Sequence, residues 1–99
     1  MIVSLRSSGG PALLEPGNLR ALEVRAAAGT SPAAIAQQLG ALGTVDGAHT
    51  WLLIDELKAL GPAEPEWGRG FDAMIAYAQR AGWVSSDARR VRAHLTSEV

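Results

Sequence analysis

The chain opens on Ile2-Val3-Ser4-Leu5-Arg6, whose β-branched residues favour a short strand over 2–6. Ser7-Ser8-Gly9-Gly10-Pro11 then breaks regular structure. Behind Pro16-Gly17-Asn18, the residues Leu19, Leu22 and Ala26 recur at helical spacing. A helix over about 18–28 is therefore expected, with Asn18 as its N-cap and Gly29 as its stop. A second helix follows at once. Ser31 supplies a cap, and Pro32 suits the first helical position, where its missing N–H costs nothing. Ile35, Leu39 and Leu42 are its apolar stripe, and Gly40 and Gly43 end it.

The period changes in the middle of the chain. Asp46-Gly47 stands between β-capable segments, and the pair tolerates the positive φ of a tight hairpin turn. The second strand is expected over 48–54, with His49, Trp51 and Leu53 on one face and Thr50, Leu52 and Ile54 on the other. Asp55 then caps a short helix that carries Leu57 and Leu60 and stops at Gly61-Pro62. Pro65, flanked by Glu64 and Glu66, reads as a further helix start. Gly68 and Gly70 argue against it locally, since each weakens a helix by about 1 kcal/mol relative to alanine. From Phe71 the pattern is plain: Trp67, Phe71, Met74, Ile75 and Ala78 share one stripe, and Arg80 and Gly82 mark the exit. After Trp83-Val84 and a Ser85-Ser86-Asp87 turn, residues 90–96 alternate. Arg90, Arg92 and His94 fall on one face, and Val91, Ala93 and Leu95 on the other. The last residues are expected to fray.

These elements predict a small α+β fold in one domain over 1–99. An N-terminal helix pair, a β-hairpin, a longer helix and a C-terminal strand would share a small, mostly antiparallel sheet. Strands this few and dispersed do not suit repeated βαβ units.

Composition narrows the function classes. Of 99 residues, 47% are apolar and 19% charged, which is a globular rather than a disordered balance. Net charge is −1, without the positive excess of a phosphate-gripping domain. Zero cysteines exclude disulfides, iron–sulfur centres and thiolate zinc sites. Lys58 is the single lysine beside eight arginines, and alanine is abundant, a bias that fits a high-GC bacterial genome. Neither a leader pattern nor a run of about twenty apolar residues is present, so the cytoplasm is the expected compartment and no membrane partner is expected.

Candidate chemistry is sparse. His49 and His94 each fall on a predicted strand. If those strands pair, the two imidazoles with Asp46 and Arg92 could move protons on a small anionic molecule, or hold a metal with a carboxylate. Equally, both can sit at a sheet rim bonded locally, and two histidines without ligand spacing assign neither metal nor cofactor. Trp51, Trp67 and Trp83 suit a core as well as a binding surface, and Trp67, in the Pro- and Gly-interrupted segment, is expected to be the most exposed. The two N-terminal helices superficially resemble a helix-turn-helix with Gln37 and Gln38 outward, and Arg89, Arg90 and Arg92 would be a wing's phosphate contacts. However, no Lys or Arg lies between Arg25 and Lys58 to grip the phosphates of a recognition helix. Gly9-Gly10 and Gly68-x-Gly70 lack the Lys-Ser/Thr of a phosphate loop. The reading that follows is a small non-catalytic binding or regulatory module. It would act by self-association, as a homodimer, or through a protein partner, with Trp51, Trp67, Arg90 and Arg92 as contact residues. The alternatives are a cofactor-free acid–base enzyme (isomerase, cyclase or lyase) using His49, His94 and Asp46, and a winged-helix-like DNA binder.

Overall fold

The computed structural model describes residues 1–6 and 10–97. In chain order the elements are β1 (Ile2–Ser4), β2 (Ala12–Leu14), β3 (Glu23–Ala26), α1 (Pro32–Leu39) and a 3-10 turn (Gly40–Leu42). Then come β4 (Gly43–Asp46), β5 (His49–Leu53), α2 (Ile54–Ala59), α3 (Pro65–Arg80) and β6 (Arg90–Ser97). The strands form one sheet in the order β2-β1-β3-β6-β5-β4. β3 runs parallel to both β1 and β6, and the other pairings are antiparallel. The fold is thus α+β with a mostly antiparallel sheet. The expected break at Ser7-Ser8-Gly9 and the expected fraying at 98–99 lie outside the described residues.

Local signals account for several elements. The Ser31 hydroxyl accepts a hydrogen bond from the Ala34 amide at 3.2 Å, and Pro32 opens α1. In the β4–β5 hairpin, Asp46 pairs with His49 across a two-residue loop, and the positive φ (+60°) falls on Gly47 alone. That is the Gly-X pattern of tight hairpins. At the start of α2 the cap position is Leu53 rather than Asp55; Ile54 opens the helix and Asp55 sits in its first turn.

The N-terminal helix pair does not form. Residues 16–20 make turns, and 23–26 make strand β3. The Asn18 side chain, expected to cap a helix, instead accepts from the Arg20 amide at 3.3 Å, a local bond that asparagine offers as readily in a turn. Within Glu23-Val24-Arg25-Ala26 a period of two competes with the helical spacing of Leu19, Leu22 and Ala26. Sheet pairing on both sides decides for the strand: Val24 and Ala26 are buried, and β1 and β6 occupy both backbone edges. Without its first helix, the helix-turn-helix half of a winged-helix architecture is gone.

The register divides the sheet into two faces. Val3, Val24, Leu52, Val91 and Ala93 point to one side, where they form a single buried cluster with Ile35 and Leu39 of α1, Leu57 of α2, and Phe71 and Ala78 of α3. Thr50 lies on this side too, fully buried, and its hydroxyl is satisfied by the Ala93 carbonyl at 3.2 Å. The opposite face carries Glu23, Arg25, His49, Trp51, Arg92 and His94, and all three helices leave it open.

Helix α3 runs unbroken through Gly68 and Gly70, and at Gly68 an added Cβ would meet only the Lys58 side chain, with Cε at 3.5 Å. A Cβ on Gly70 would stand 2.7 Å from Leu19 Cδ1. Trp67 is likewise not the exposed indole that was expected. Its ring covers Gly61, packs tilted on Phe71 with centroids 5.3 Å apart, and donates its Nε1–H to the Pro16 carbonyl at 2.8 Å. No helix among the described residues is long and apolar enough to cross a membrane.

Candidate functional site

Two surfaces concentrate chemistry. The first is one register row on the helix-free sheet face. Asp46 on β4 stands opposite His49 on β5, His49 opposite His94 on β6, and His94 opposite Glu23 on β3. The two imidazoles meet edge to face, with ring centroids 5.5 Å apart. Trp51 and Arg92 pair in the next row, and Leu53 and Arg90 in the one beyond. The Trp51 indole N–H donates to Asp46 Oδ2 at 3.3 Å. The structure therefore brings together His49, His94, Asp46, Trp51 and Arg92. Arg90 lies further along the same strand, and Trp67 is on the other side of the sheet.

The carboxylates flanking the histidines are held in place. Glu23 accepts the Thr96 hydroxyl at 2.5 Å and an Arg25 guanidinium N–H at 3.2 Å. The Thr96 hydrogen bond is the main cause that holds the Glu23 carboxyl below the ordinary glutamate range; desolvation opposes it, and the Arg25 charge and hydrogen bond and the N-terminal charge lower it further by smaller amounts. A depressed folded-state value stabilises the fold above the unfolded glutamate pKa, and that contribution is lost as pH falls through the depressed value. Thr96→Val is expected to move the Glu23 titration upward in a carboxyl-detected NMR experiment. An unmoved titration would show that the Thr96 hydrogen bond does not set the shift.

The second surface is a groove of about 560 Å³ on the helix side. It opens where β6 outruns β3. The first residue of β3, Glu23, pairs with His94, so Val91 and Arg92 have no β3 partner. Trp83-Val84-Ser85 meets that flank instead. The Arg92 amide donates to the Trp83 carbonyl at 2.8 Å, and the Ser85 amide to the Arg90 carbonyl at 2.8 Å. The fork between this segment and residues 19–22 forms the groove, and α3 backs it with Met74, Ile75 and Tyr77. The 19–22 wall is pinned in part by the Met1 amine, which donates to the Asn18 and Ala21 carbonyls at 2.9 Å each.

At the mouth, Tyr77 and Trp83 make a T-shaped pair with centroids 6.0 Å apart, and are 59% and 41% exposed. Arg20 lines the groove and is exposed, with no ion pair or side-chain hydrogen bond from its guanidinium among the described residues, whereas Arg92 lines it from a strand position whose side chain points to the helix-free face. No carboxylate among the described residues lines the groove.

Of the groove's residues, the sequence pointed only to Arg92 as a contact residue. A signal for Tyr77 was nevertheless present, since position 77 falls off the 67/71/74/75/78 stripe and must face away from the core. A second hollow, beside Trp67, contains the Lys58–Asp72 ion pair at 3.0 Å and is lined as well by Asp55, Glu64 and Arg69. Comparison with known proteins gives no family model, no curated protein and no solved structure that matches this chain.

Proposed function

We propose that the chain is a non-catalytic binding module whose working surface is the groove between residues 19–22 and α3, and that it takes an apolar, acidic segment of a protein partner. The observation that carries this reading is the exposed Tyr77–Trp83 pair in a groove that the exposed Arg20 also lines. Tryptophan, tyrosine and arginine are the residues most enriched where protein interfaces concentrate their energy. Leu19, Leu22 and Met74 supply an apolar floor, and Arg20 supplies a charge that an acidic partner completes. Self-association is the case in which a second copy of this chain provides the segment.

Selection of displayed random peptides on the full chain tests the reading. The expected outcome is a consensus with apolar anchors beside Asp or Glu, bound at least tenfold more weakly by Trp83→Ala. A selection without consensus, or binding that survives Trp83→Ala, overturns it. Sedimentation across a hundredfold concentration range distinguishes a second copy from a different protein.

The acid–base enzyme reading draws support from the contact between His49 and His94. It ranks lower because those imidazoles lie on an open sheet face outside both hollows, where nothing excludes water from a reacting group. Among the described residues, no carboxylate or imidazole lines the groove to act as an acid or base.

A further inference from the structure

From the geometry of the helix-free face we infer that His49 and His94 form a two-imidazole chelate for a borderline divalent transition metal of the zinc, nickel or copper class. Backbone hydrogen bonding sets the pair up. The Leu95 amide donates across to the Ala48 carbonyl at 2.9 Å, whereas the Arg92 amide turns away from β5 to Trp83. Amides alternate along an antiparallel strand, so His94 also turns away from β5, and His49–His94 is a pair without mutual backbone bonds. Pairs of this kind bring their side chains closest together.

The ring separation fits a shared ion. With metal–nitrogen bonds of about 2.0–2.1 Å and a tetrahedral angle, two bound imidazoles place their centroids roughly 5 Å apart. The observed centroid distance is 5.5 Å with the rings edge to face at 74°, close to that spacing, so the rings must reorient to bring one nitrogen from each onto a shared ion. Ligand type selects the ion: neutral imidazole favours zinc, nickel and copper, whereas magnesium and calcium require oxygen donors.

The neighbours act on the pair without joining it. Asp46 and Glu23 close the row at either end, but Asp46 is engaged by the Trp51 indole, and Glu23 by Thr96 and Arg25. Among the described residues no group of three or more histidine, cysteine, aspartate or glutamate side chains is placed to hold a metal. The chelate is therefore two imidazoles, with the remaining positions open to water or a small anion. The two carboxylates add favourable negative potential beside a dication. Arg92 opposes it from the next row.

The test uses Zn²⁺ alone with the full chain at pH 8, where imidazole is generally neutral and metal binding is not competing with protons. Calorimetry should give one Zn²⁺ per chain, with at least a tenfold loss of affinity in both His49→Ala and His94→Ala and no binding of Mg²⁺. In the unaltered protein, the imidazole ¹⁵N signals of both histidines should move together and saturate at one equivalent. This measurement stands even if a variant folds poorly. Affinity retained in either variant, a different stoichiometry, or a shift confined to one imidazole overturns the inference.

Discussion

Phe71→Ala is expected to lower folding stability by about 3–5 kcal/mol, read as a fall in urea midpoint. The phenyl ring is fully buried on α3, tilted against Trp67, in the cluster that joins the helices to the sheet. Its removal forfeits the transfer free energy of the ring and leaves a cavity that a close-packed interior fills only in part. Domains of this size are typically stable by only about 5–15 kcal/mol, so the variant should be partly unfolded well below the temperature at which the parent melts. Tyr77→Ala provides the contrast within the same helix. Its ring is 59% exposed, so stability should change by about 0.5 kcal/mol or less while groove binding falls. Equal losses of stability in the two variants would refute the assignment of faces on α3.

Gly43→Ala is expected to be the most damaging single-methyl change. The φ of Gly43 is 178°, extended backbone open to any residue, so conformational freedom is not the reason. Proximity is. A Cβ there would overlap the Trp51 carbonyl oxygen and sit 3.1 Å from Leu52 Cα. Both obstacles are backbone atoms, and no rotamer relieves them, so β4 must move away from β5. Overpacking of this kind costs about 1–3 kcal/mol. For a domain of this length each kcal/mol lowers the melting temperature by about 4–8 °C. Because β4 is the edge of the sheet, the loss should appear first as faster hydrogen exchange at the amides joining β4 and β5. Parent-like exchange there would show that the strand pair accommodates the methyl group.

The elements legible in the chain were those whose signals are local. Ser31-Pro32, Asp46-Gly47 and the apolar stripe of α3 each specify a conformation through bonds or burial within one segment, and each element formed. The alternation over 90–96 was likewise enough to put Arg92 and His94 on the face opposite Val91 and Ala93. Residues 19–28 failed for the complementary reason. A helical spacing and a strand spacing coexist there, and the choice between them rests on β1 and β6, which are distant in sequence. Strand β2, three residues between a Gly-Pro break and a Pro-Gly turn, had too little pattern of its own to be read at all.

The same division governs the candidate sites. Pairing of β5 with β6 makes neighbours of His49 and His94, 45 positions apart in the chain, and the sequence could say only that this would follow if those strands met. The groove was further out of reach. It exists because β6 extends past β3 and because the 19–22 segment is a loop rather than a helix, and both are consequences of sheet register.

By itself, the sequence determined an α+β chain with α1, the β4–β5 hairpin, α3 and the two faces of β6, because these follow from side-chain periodicity, caps and turn residues. Only the tertiary structure decided the strand at β3, the exposure of Trp83 rather than Trp67, and the meeting of the two histidines. Each of those depends on which remote backbone supplies the hydrogen bonds and which remote surface excludes water, and neither is encoded in any single segment.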